Sequence, residues 1–98
     1  MYRYTTPTLV FRLPISTELL DQAIVTLYQT NVLIEKSIDQ MTLEDNILKV
    51  PLSQDETGQL KGYNNCLIQL RVRCKDGSAF VSQQFREKVL DVIKEGVI

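Results

Sequence analysis

The longest regular pattern in the chain is an alternation of period two. Across residues 66–75, Cys66, Ile68, Leu70, Val72 and Cys74 fall on one side, and Gln69, Arg71, Arg73 and Lys75 on the other; Leu67 alone interrupts the polar side. Successive side chains of an extended strand point to opposite faces, so this stretch reads as a strand with one face in a core and one in water. Asp76-Gly77 follows at once. Asp-Gly beside alternating residues is a strong hairpin signal, because the tight turn needs positive φ at both central positions. The chain should therefore return antiparallel through residues 78–85.

The same period recurs upstream. Leu9, Phe11 and Leu13 share a face, and Pro14, which lacks a ladder donor, ends an edge-type strand over residues 8–13. Residues 16–21 carry capping chemistry and read as a short helical turn. Residues 22–29 are rich in β-branched and aromatic side chains and form a second strand with Ala23, Val25 and Leu27 inward. Thr30-Asn31 turns the chain into a third strand, 32–37, paired with the second. A short extended piece at 41–43 and a turn at Glu44-Asp45-Asn46 lead to a strand over 47–52, with Leu48, Val50 and Leu52 inward. Ser53 and Glu56 have capping-box spacing and predict a short helical turn near 53–57, which Gly58 should end through its freedom at positive φ. Beyond Phe85 two patterns overlap. Phe85, Val89, Val92 and Ile93 make a helical face while residues 88–93 also suit an edge strand; the expectation is a strand to about Arg86 and then a helical turn. About seven short strands with turns every 8–12 residues, and no long helical pattern, predict an all-β antiparallel β-sandwich.

Ninety-eight residues suit a single domain, with 1–6 as a flexible arm before the first strand. Eleven basic against twelve acidic residues leave a net charge of −1, which offers no field for gripping phosphate backbones, so no nucleic acid partner is expected. The chain has no His, and so lacks the usual general base and metal ligand. No catalytic, metal or cofactor site is expected, and the chain is read as not an enzyme. The polar start 1–8 does not resemble a secretory signal, and no apolar run reaches membrane-spanning length, so no membrane partner is expected. Cys66 and Cys74, eight residues apart on one strand, would lie roughly 26 Å from each other and are read as two separate core thiols.

Several surfaces stand out as candidates for contact. Gln69, Arg71, Arg73 and Lys75, with Arg12 and Lys49 on other strands, could form a cationic strip facing a protein partner. Ile24, Thr26 and Tyr28 lie opposite the inward residues of their strand, and Phe80 opposite Val81, so an apolar patch would mark an interface if these faces point outward. Tyr2, Arg3 and Tyr4 are residue types common at interface hot spots and could reach a neighbouring subunit. Tyr63, Asn64 and Asn65 could instead recognise a carbohydrate or polymer from a loop. The acids Glu44, Asp45, Asp55 and Glu56 are explained by turns and capping without a catalytic role.

Residues 47–52, the capped turn with Asp55 and Gly58, and Tyr63 ahead of Cys66 resemble the passage between the fifth and sixth strands of immunoglobulin-like domains. Tyr63 stands three residues before the cysteine rather than two, and neither the cysteine partner nor the core Trp of antibody domains is present. The resemblance is one of architecture. Residues 6–14, 52–57 and 68–73 with Asp76-Gly77 are together similar to small prophage-encoded proteins of Gram-positive bacteria found near tail and baseplate genes. That resemblance implies a non-enzymatic structural or assembly accessory protein whose partners are phage structural proteins or further copies of itself. It implies the bacterial cytoplasm during assembly as the location and leaves open whether the protein stays in the virion.

Overall fold

Pairing follows the alternation. In the computed structural model, which describes residues 1–98, the two longest strands, β2 (Leu20–Gln29) and β6 (Asn65–Cys74), lie side by side and antiparallel, with Val25 opposite Leu70 and Leu27 opposite Ile68. β3 (Val32–Ser37) flanks β2, joined through a turn in which Asn31 takes φ 65°, the left-handed region Asn tolerates. β7 (Ala79–Val81) and β8 (Phe85–Lys88) run one after the other along the far side of β6, the first returning through Asp76-Gly77 with Gly77 at φ 90°. A second sheet has the order β1-β5-β4, from β1 (Thr8–Arg12), β5 (Ile47–Pro51) and β4 (Thr42–Glu44), again antiparallel throughout. The fold is thus an all-β antiparallel sandwich.

Fifteen buried hydrophobic residues fill the space between the sheets. Ala23, Val25 and Leu27 of β2 and Leu48 and Val50 of β5 are fully buried, as expected from their inward positions. Burying a Leu or Val side chain contributes about 1.5–3 kcal/mol, so these positions dominate the stability of the fold. Cys66 and Cys74 are both buried and both free, as two separate thiols. The loops close as their sequences require. Ser16 Oγ accepts from the Glu18 N–H ahead of a 3₁₀ turn at Thr17–Leu19. Ser53 and Glu56 close a reciprocal capping box at 3.1 and 2.8 Å, opening α1 (Gln54–Gly58).

Three details differ from expectation. Gly58 does not adopt positive φ. Its need is spatial: a Cβ there would lie 2.7 Å from Tyr4 Cδ1. No helical turn follows Phe85. Residues 85–88 are strand, Val89 is buried, and Leu90 bridges parallel to Tyr2 at the other end of the chain. Local periodicity could not reveal this, because the pairing is supplied by distant segments, Tyr63–Ile68 for residues 85–89 and Met1–Arg3 for Leu90. Tyr63 is 75% exposed with φ 61°, so its ring is not packed into a corner between strands.

Candidate functional site

The two sheets do not close over each other on both sides. On one side β3 and β4 are tied together by the short turn Ile38–Gln40, which packs Ile38 and Met41 against the core. On the other side, β1 at the edge of the small sheet faces β7 and β8 at the edge of the large one, and no strand lies between them. The gap is an apolar groove of about 440 Å³ with nine hydrophobic residues among its twelve lining positions. A second apolar hollow, of about 180 Å³, shares Val10, Phe11 and Phe85 with it.

Register explains why the groove is so apolar. β7 pairs with β6 through Phe80 opposite Val72, whereas β8 pairs through Phe85 opposite Ile68, a one-residue slip between the two ladders. Residues 80 and 85 would lie on opposite faces of a regular strand; the slip puts both phenyl rings on the inner face. Across the gap, Phe11 on β1 meets Phe85 with ring centroids 6.3 Å apart. The mouth remains open, with Val10 58%, Phe80 56% and Val81 60% exposed.

Both edges also carry unpaired backbone. The Leu13 N–H donates to Asn46 and the Leu52 N–H to Pro7 O, so odd-numbered residues of β1 face β5. Antiparallel ladders alternate, and Thr8, Val10 and Arg12 therefore turn their N–H and C=O groups outward. Likewise Cys74 N donates to Ser78 O and Ser82 N to Leu70 O, which leaves Ala79 and Val81 facing out.

Charge is sorted around this body. Arg12 and Arg86 are exposed on the edge strands of the open side and take part in no ion pair; Arg71, also without one, stands on the central strand β6, on the outer face of the large sheet that carries Glu35 as well. Arg73, expected in the same strip, is held by Asp21 at 2.8 Å, and Lys49 reaches Glu44 at 3.4 Å. The closed side carries Glu35, Asp39 and Glu44. Asp55 and Glu56 open α1, Asp45 forms a turn at φ 53°, and no group of three or more Cys, Asp or Glu gathers as a metal-binding cluster.

The other expected contact residues are dispersed. Ile24 and Thr26 are half-buried on the outer face of the large sheet, while Tyr28 is exposed beside Leu33 and Leu67. Phe80 belongs to the groove rather than to that outer face. Tyr2 is exposed, but Arg3 is largely buried. Its Nη1 donates to Asp91 at 2.8 Å and Glu95 at 2.7 Å, its Nη2 to Gly58 O, and its guanidinium lies 5.1 Å from the Tyr4 ring centroid. The Arg3 hydrogen bond holds the Asp91 carboxyl below the usual carboxylate range. The Met1 amine donates to Glu87 and to Lys88 O, so the first residues lie along the last strand. Tyr63 and Asn64 are exposed in a loop where Asn64 Nδ2 donates to Gly62 O, and Asn65, also exposed, opens β6 opposite Lys88, so the three lie away from the groove and the last is not in a loop as expected.

Two buried polar contacts had not been read from the sequence. Lys36, at an inward position of β3, donates to both Glu56 carboxylate oxygens at 2.8 and 2.9 Å. Burial pushes the Glu56 carboxyl up, but the Lys36 and Ser53 hydrogen bonds outweigh it and leave the group below its ordinary value. Gln29, also inward, accepts from the Lys61 N–H and donates to Lys61 O. The available signal was a polar residue on the apolar side of an alternating strand.

No protein-family model, no curated protein and no solved structure matches the chain.

Proposed function

We propose that the protein works without catalysis, by protein–protein contact, as a structural or assembly accessory component of a phage particle. The observation that carries this reading is the open side of the sandwich, where an apolar groove lies between two strand edges with unpaired backbone. Exposed strand edges are natural templates for pairing, and a monomer normally covers or blunts them. The strand orders add support. β1-β5-β4 and β3-β2-β6-β7 run as B-E-D and C′-C-F-G do in immunoglobulin-like sandwiches, where a further strand, A, would sit beside the position of β1. On this reading the groove is the place of an absent first strand. Its chemistry favours apolar side chains over sugars: Arg12 and Ser82 are its only lining residues with polar side chains, so a hydroxyl-rich ligand would find few hydrogen-bond partners there.

The test is co-purification of the chain with the tail proteins encoded beside it, for wild type and for Phe80→Asp at the groove mouth. A complex that forms with wild type and is lost with F80D supports the reading. No complex with any of them, and a mass fixed at 11.3 kDa at every concentration, would refute it.

A further inference from the structure

Resting on that contact reading, the charge distribution singles out one partner for the open side. We propose that it docks the closed side of a second copy, so that chains associate head to tail. Three properties match across these two sides. The open side exposes Val10, Phe80 and Val81, and the closed side exposes Leu33 on β3, 61% accessible, and, separately, Leu43 on β4. The open side carries Arg12 and Arg86 without ionic partners, and the closed side carries Glu35 and Asp39, equally without a cation, beside Glu44 with its one long contact to Lys49. Both present unpaired backbone. The pairing of Leu27 with Ile34 and of Gln29 with Val32 across a two-residue turn sends the N–H and C=O groups of Leu33 and Glu35 outward.

Charge also excludes the symmetric alternatives. Two open sides together would crowd four unpaired arginines, and two closed sides would crowd the acids; like charges brought face to face cost several kcal/mol. Open against closed is the arrangement in which both sets are neutralised. Size permits it: even the narrowest long side of a body 47 × 25 × 17 Å offers about 800 Å², the per-partner area of a standard stable interface. Because the two surfaces differ, the contact is heterologous and generates a ring, or a filament if the rotation does not close.

The experiment is sedimentation velocity on wild type, on Glu35→Arg/Glu44→Arg, on Arg12→Glu/Arg86→Glu, and on an equimolar mixture of the two variants. Wild type should show a mass that rises with concentration and falls when 0.5 M salt is added. Each variant alone should associate at least tenfold more weakly, and the mixture should regain wild-type assembly, since each reversed side then meets an opposite charge. Equal melting curves would show that the variants fold; were one to fail, the salt series on wild type still decides. Assembly unaffected by both variants, or a mixture no better than its parts, overturns the proposal. A wild type that stays monomeric yet binds neighbouring tail proteins overturns this inference alone, and one that binds neither overturns the contact reading as well.

Discussion

At the scale of single residues, the ion pair of Lys36 and Glu56 joins the large sheet to the loop that closes one end of the sandwich. The Glu56 carboxyl ionises more readily in the folded than in the unfolded chain. The stability it supplies is therefore complete above the unfolded carboxylate value of about 4.3 and is lost as pH falls through the lower folded value. Asp91, lowered by Arg3, acts in the same direction. Glu56→Gln keeps a side chain able to serve the capping box but leaves the buried ammonium facing a neutral group, which should cost about 2 kcal/mol at pH 7. Urea unfolding from pH 7 to pH 3 should show this difference shrinking in acid; a constant difference would mean the charge is irrelevant. Gly58 gives a second case with an unusual sign. Alanine inside a helix normally gains about 1 kcal/mol over glycine. Here its Cβ would strike the Tyr4 ring, so Gly58→Ala should lower the melting temperature, and adding Tyr4→Ala should remove that penalty. A G58A protein more stable than wild type would show that the ring moves aside freely.

At the scale of elements, β1 is an edge whose even-numbered amides point away from its partner, and this predicts a strong dependence on position. Val10→Pro removes an N–H that has no acceptor within the monomer, at an extended position where proline fits, so the fold should lose less than about 1 kcal/mol. Phe11→Pro removes a bond to β5 and should cost about 3 kcal/mol or more. Comparable losses in thermal melts of the two would contradict the assigned register. The strands themselves were legible because each carries its own alternation, and turns such as Asn31 and Gly77 announce themselves through residues that tolerate positive φ. The chain after Phe85 was misread because its partners are Tyr63–Ile68 on one side and Met1–Arg3 on the other, and no local period encodes contact between segments so far apart. The groove was only half legible. Phe80 and Phe85 were visible as aromatics, but the register slip that turns both inward depends on how two short ladders meet β6.

At the scale of the whole molecule, the chain is longer and thinner than its length suggests. Its radius of gyration is 14.2 Å, against about 12.6 Å for a typical compact domain of this size. A thin sandwich with one side unsealed leaves much apolar surface in water, so burial supplied by a neighbour adds directly to the stability of the folded state. Hydrogen exchange separates what the monomer protects from what assembly protects. The paired amides of β2 and β6, at the centre of the large sheet, should be the slowest in all conditions. The amides of Thr8, Val10, Arg12, Leu33 and Glu35 have no acceptor in the single chain and should exchange fast in dilute protein with 0.5 M salt. Concentrating the protein at low salt should slow these five together, on β1 and β3 at once, because the head-to-tail contact uses both edges of every interior copy. Protection arising on one edge alone would point to a symmetric pairing of like edges, which the distribution of arginines and carboxylates opposes.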